Sequence, residues 1–169
     1  MLFLNKAKQR LFDFCLTFEN ALITNKNMKP IKILLVEDNL ADTVLIQESL
    51  LESKLKLDID VVTDGEQATD YLYEKLEHRE KKLPDLIILD LNMPRKDGRE
   101  VLKEIKAHEE LCLVPVLVMT TSENEEDIKF AYKHHANSYI SKPVDMNEFT
   151  RIISSINDFW LTIVKLPNA

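Results

Sequence analysis

Hydrophobic and polar positions alternate between two periods along most of the chain. Residues 31–36, Ile-Lys-Ile-Leu-Leu-Val, form a short β-rich run that ends in acid, Glu37-Asp38. Over 40–53 the apolar positions Leu40, Val44, Leu45 and Leu51 take helical spacing. Residues 57–62 alternate, Leu-Asp-Ile-Asp-Val-Val, as in a strand near a sheet edge. Asp64-Gly65 reads as a turn, and a helix to about Arg79 follows, with Ala68, Tyr71, Leu72 and Leu76 on one face. Residues 85–91 are almost continuously apolar, the pattern of a central parallel strand buried on both sides. The spacing then predicts a loop at 93–98, a helix over 99–108, a buried strand over 115–119 and a helix over 124–134. A short strand at Tyr139-Ile140 and a last helix from near Asp145 toward Leu166 complete the series. This βα alternation implies an α/β fold, a doubly wound parallel sheet with right-handed crossovers and helices on both faces.

In such sheets, chemistry gathers at the carboxyl ends of the strands. Glu37 and Asp38 follow the first strand, and the third ends in Asp90. Thr120 and Thr121 follow the fourth, and Lys142-Pro143 the fifth. Two acids at a strand end usually mark no more than a solvated helix entry, and a single lysine is usually surface. Three acids, a hydroxyl and a lysine converging from four strands are harder to explain as structure. Packing like charges together is costly unless a cation offsets them. A hard divalent ion held by carboxylates, a carbonyl and water meets that need.

Composition narrows the function classes. The chain has 169 residues, 45% apolar and 30% charged, as expected for a globular domain, with a net charge of −7. Residues 1–30 carry five basic and two acidic side chains, or +3, which leaves −10 for the remainder. So acidic a body argues against direct nucleic-acid binding and suits a cation or a basic partner. Both glycines, Gly65 and Gly98, lie in connections, and no Gly-rich phosphate loop is present. Cys15 and Cys112 form neither a metal motif nor a disulfide framework, and reduced thiols point to the cytoplasm. No apolar run reaches the length of a membrane span, and Asp13 and Glu19 interrupt any signal-peptide pattern.

Four segments carry a resemblance. Leu-Leu-Val-Glu-Asp-Asn (34–39), Leu-Asp-Leu-Asn-Met-Pro-Arg-Lys-Asp-Gly (89–98), Val-Met-Thr-Thr (118–121) and Tyr-Ile-Ser-Lys-Pro (139–143) resemble the receiver domain of two-component response regulators. The resemblance covers roughly 30–158 and implies a flavodoxin-like five-stranded sheet of order 2-1-3-4-5. It also implies roles. Asp90 would accept a phosphoryl group from a histidine kinase, with Lys142 pairing with its oxygens and Thr120 donating a hydroxyl. Mg²⁺ would be held by Glu37, Asp38, Asp90 and the backbone carbonyl of Asn92. Thr120 and Tyr139 would form the switch, and the Lys142–Pro143 bond would be cis. Asn92 and Ser122 would flank the phosphoryl group and tune water attack. Such a protein is not a metabolic enzyme, since it catalyses only its own phosphotransfer and slow dephosphorylation. A phosphatase with an aspartate nucleophile is the competing class, but the second acid of its Asp-x-Asp pattern is Asn92 here. A receiver-like scaffold that takes no phosphate is the third, and would be expected to lack Asp90 or Lys142.

Three segments follow: an N-terminal extension at 1–29, the receiver at 30–158, and an apolar tail at 159–169 that extends the last helix. The extension could form a short helix that docks on the domain or binds a partner, or be only upstream sequence; residues 1–27, which a start at Met28 would omit, are expected to be dispensable for phosphorylation. The tail, Phe-Trp-Leu-Thr-Ile-Val-Lys-Leu-Pro (159–167), and Asp-Asn-Leu-Ala-Asp (38–42) resemble small stand-alone receivers that partner bacterial phytochrome-type kinases. Phe159, Trp160, Leu161, Ile163, Val164 and Leu166 either fold back over one end of the sheet or support a homodimer. With little chain left for an output domain, the signal is expected to leave by protein contact or by onward phosphotransfer.

Overall fold

Five parallel strands pair in the order β2-β1-β3-β4-β5. The strands are β1 (Ile31–Val36), β2 (Leu57–Val62), β3 (Leu86–Leu89), β4 (Val116–Thr120) and β5 (Ser138–Ser141). The helices are α1 (Leu40–Leu51), α2 (Gly65–Glu77), α3 (Gly98–Ala107), α4 (Glu125–Lys133) and α5 (Met146–Ile156). The structure, a computed structural model, describes residues 29–167 apart from 54 and 79–81. The chain divides into two units at Pro30, and the described fold is that of the second, from Ile31 onward. Expectations for 1–28 lie outside the described residues.

The apolar runs end up where their periods require. β3 and β4 are buried at every residue, as strands flanked on both sides and covered on both faces must be. β2 lies at the edge, and its Asp58 and Asp60 approach Lys32 of β1 at 3.7 Å. Alternate side chains of β1, β3 and β4 feed two cores. Ile33, Leu35, Ile88 and Leu117 meet Ile46 and Leu50 of α1 and Phe149 and Ile153 of α5. On the opposite face, Leu34, Val36, Leu89 and Val118 meet Leu72 of α2, Leu102 of α3 and Ala131 of α4.

Among the described residues, all five α-helices start on an Asn or Asp whose side chain accepts backbone N–H groups of the first turn: Asn39, Asp64, Asp97, Asn124 and Asp145. Each such cap contributes about 1 kcal/mol and fixes where the preceding loop must stop. Asp64 is thus no mere turn residue. α4 ends where His135 takes a positive φ of 62°, which lets Ala136 N–H reach the Ala131 carbonyl at 2.9 Å.

Two expectations need correction. The last helix does not run as one α-helix toward Leu166. It ends at Ile156, and Asn157–Ile163 continue with the wider π repeat. This turns Leu161 into the core and packs Trp160 and Leu166 against it, leaving Phe159 and Ile163 outside, 52% and 69% exposed. The Lys142–Pro143 bond, expected to be cis, is trans, as is every described peptide bond. Trans is the lower-energy isomer by about 0.5–1 kcal/mol, and Lys142 reaches the strand-end acids from it.

Candidate functional site

The sheet delivers its polar residues to one end. Asp90 follows β3 directly, and its backbone N–H donates to the Val36 carbonyl at 3.0 Å, bringing the β1 and β3 ends together. Glu37 and Asp90 are buried and Asp38 is exposed, and one carboxylate oxygen from each lies within 4.8 Å of the others. Asp90 Oδ1 accepts the Asn92 backbone N–H at 2.9 Å. Gly98 closes the loop beneath, because a Cβ there would overlap the Asp90 carbonyl.

Lys142 enters from the end of β5, with a side chain only 3% exposed. Its Nζ donates to Glu37 Oε2 at 2.5 Å, Asp90 Oδ2 at 2.6 Å and Asp42 Oδ2 at 3.0 Å. Burial pushes the Glu37 carboxyl up to about 7, against the pull of Lys142. Burial also disfavours the lysine's charge, but Asp90 and Glu37 together hold its ammonium above the usual lysine range. Three carboxylates, those of Glu37, Asp42 and Asp90, therefore share one ammonium, and Asp38 stands beside them. A hard divalent ion fits this all-oxygen, charge-excess donor set, while thiolate- or imidazole-binding metals find no matching ligand in it.

The fourth strand supplies a hydroxyl. Thr120 is fully buried, and its Oγ1 accepts from Asn92 Nδ2 at 3.2 Å and from the Ser122 backbone N–H at 3.4 Å. Thr121 Oγ1 lies 3.5 Å from the same Asn92 amide. Tyr139 is half-buried, packs on the α4-side core and donates its hydroxyl to the Ser122 carbonyl at 2.8 Å. Ser122 is held in turn, its Oγ donating to Asp127 Oδ2 at 2.6 Å. Arg99 grips Asp127 with two bonds, of 2.8 and 2.6 Å, and reaches Asp97 at 2.8 Å. A chain of contacts thus runs from the loop after Asp90 to the aromatic on β5.

Every residue expected at the site is brought to this end of the sheet. Three others escaped sequence reasoning. Asp42 lies in the first turn of α1 rather than directly after a strand, and nothing local marks it. Arg99 and Asp127 lie 28 positions apart, and no local pattern pairs them.

The family model of the response regulator receiver domain matches residues 33–154. The chain belongs to this family. The receiver is 41% identical over 147 residues to response regulator Rcp1 of Synechocystis sp., covering 87% of this chain and all of that protein. The solved Mn²⁺-bound form of Rcp1 is similar with a TM-score of 0.78 at 43% identity, over 82% of this chain and 99% of that one. The phosphorylated cyanobacterial phytochrome response regulator RcpA gives a TM-score of 0.78 at 46% identity, with the same coverage. The fold is therefore the flavodoxin-like receiver fold, and the chain is a response regulator rather than a metabolic enzyme. No described helix is long and apolar enough to cross a membrane.

Proposed function

We propose that this receiver accepts a phosphoryl group on Asp90 from a sensor histidine kinase and signals through protein contact. The observation that carries the reading is the Lys142 ammonium 2.6 Å from Asp90 Oδ2, within a buried cluster that holds more carboxylates than cations. Asp90 attacks the phosphorus of a phosphohistidine. The Asp90 O–P bond forms as the P–N bond breaks, and the imidazole leaves with the electron pair. Glu37, Asp38, Asp90 and the Asn92 carbonyl would hold Mg²⁺, which would supply positive charge against the phosphoryl oxygens. Lys142 donates to one of these oxygens and Thr120 to another. Drawing Thr120 toward the phosphoryl group shifts the β4–α4 connection, and Tyr139 follows through Ser122. Asn92 and Ser122 govern access of the water that later hydrolyses the acyl phosphate.

The kinase is of phytochrome type, in keeping with the RcpA likeness. The receiver spans 30–158, preceded by an extension at 1–29 whose residues 1–27 are dispensable for phosphorylation, and followed by the tail at 159–169, and it works in the cytoplasm without direct contact with nucleic acid or membrane. It forms a homodimer through α4, β5, α5 and the tail. An open groove of about 400 Å³, walled by Ile140, Ile152, Ile156, Phe159 and Trp160, supports that surface. Because Trp160 also packs on the core, Phe159 and Ile163 are the cleaner positions for testing the dimer. Sedimentation should show a dimer that Phe159→Ser together with Ile163→Ser dissociates, and a monomeric wild type contradicts it.

Incubation with acetyl phosphate and Mg²⁺ tests the main reading. The expected product is an acid-stable, base-labile acyl phosphate that is absent when chelator is added. Continuous release of free phosphate with no accumulated phosphoprotein points instead to a phosphatase, and no reaction points to a scaffold.

A further inference from the structure

Asp42 stands in the first turn of α1 and reaches across to β5, where its Oδ2 accepts from Lys142 Nζ at 3.0 Å. An ammonium has three N–H donors. Here all three are occupied, by Glu37, Asp90 and Asp42. A phosphoryl oxygen on Asp90 can gain a bond from Lys142 only if one of these acceptors gives it up. Glu37 and Asp90 belong to the carboxylate group close enough to share a cation, and Asp42 does not. Its carboxylate is about a quarter exposed, and Lys142 is the one side chain bonded to it among the described residues. Water can therefore replace the lysine at Asp42 at little cost, which is untrue of the two buried acids.

We propose that Asp42 is a positioning residue for Lys142, holding its third hydrogen in the unphosphorylated protein and yielding it to a phosphoryl oxygen once Asp90 is modified. This rests on Asp90 being the acceptor. Two effects of opposite sign follow from the Asp42 charge. It opposes the anion that Lys142 must bind, and it adds to the field that draws a divalent cation. Removing it should favour the first ligand and disfavour the second, which a merely structural role for Asp42 would not do.

Calorimetric titration of the full chain separates these effects. One arm uses Mg²⁺ alone, and the other uses beryllofluoride, a phosphoryl mimic, at saturating Mg²⁺. Asp42→Asn should bind beryllofluoride about three- to tenfold more tightly and Mg²⁺ about two- to fivefold more weakly, the scale of one charge acting over several ångströms near a surface. Asp42→Glu should return both affinities toward wild type, and Asp42→Ser, which also removes the charge, should repeat the Asn result. Affinities that shift in the same direction, or not at all, overturn the proposal. A wild type that binds no beryllofluoride overturns the Asp90 reading and this one with it. A wild type that binds, with Asp42→Asn unchanged, overturns this one alone.

Discussion

Asp64 after β2 and Asp90 after β3 are both buried carboxylates at the same end of the sheet, and each faces a cation. Asp64 is saturated. It caps α2 by accepting the Gln67 backbone N–H at 2.9 Å, takes the Gln67 side-chain amide at 2.5 Å, and is paired with Arg95. One negative charge meets one positive charge, and every strong acceptor site is used. Asp90 shares its lysine with Glu37 and Asp42, and Asp38 stands beside them without a lysine bond. The first arrangement is complete and ties two loops together. The second carries surplus negative charge, which a bound cation would offset. Burial alone does not separate a structural acid from a functional one. The local balance of charge and hydrogen-bond donors does.

The contrast can be broken most completely by neutralising one acid at a time. Asp90→Asn should abolish phosphorylation and leave the fold intact, because it relieves like-charge crowding, whereas Asp64→Asn should still be phosphorylated. Radiolabelling or intact-protein mass after acetyl phosphate treatment distinguishes them. Stability should move the other way. Asp64→Ala should cost about 3 kcal/mol, from a lost cap and a stranded Arg95 whose half-exposed side chain recovers part of its hydration. Asp90→Asn should be neutral or stabilising in metal-free denaturant titrations.

Divalent cation sharpens the comparison next. At a hundredfold excess over Kd, Mg²⁺ should stabilise the wild type by about 2.7 kcal/mol. Asp38→Asn should lose most of this, and it should persist in Asp64→Asn, as read by thermal melts with and without chelator. A smaller effect is expected from pH. Burial would raise the Asp64 pKa, but the Gln67 N–H and Arg95 outweigh it and hold the carboxyl below the usual range. The stability it contributes is full above the unfolded value of about 3.9 and is lost as pH falls through the lower folded value. Acid titration of Asp64→Asn should therefore be flatter than wild type below pH ~4. The smallest change is expected at Arg99, where Arg99→Lys exchanges a two-bond grip on Asp127 for a single contact and should cost about 1 kcal/mol.

Much of this was legible in the sequence, for identifiable reasons. β3 and β4 announce themselves because a central parallel strand must be apolar on both faces. Glu37, Asp38, Asp90, Thr120 and Lys142 could be selected because each directly follows a strand, and strand order carries them to one edge. Asp64 was misjudged as a turn because its burial depends on Arg95, 31 residues away. Asp42 was hidden because an acid in the first turn of a helix is ordinary, and only the fold brings Lys142 to it from 100 positions distant. The tail was read correctly as apolar, but its division between core and surface follows from the π repeat after Ile156, which hydrophobic spacing does not encode.

The central claim is that one carboxylate, that of Asp90, takes the phosphoryl group. Borohydride reduction converts an aspartyl phosphate to homoserine and leaves free carboxylates untouched, so it marks the modified position permanently. After treatment with acetyl phosphate and Mg²⁺, reduction and peptide sequencing by mass spectrometry should find homoserine at position 90 and aspartate at 38, 42 and 64. Homoserine at any of those three, or none at position 90 in protein shown to carry phosphate, contradicts the account.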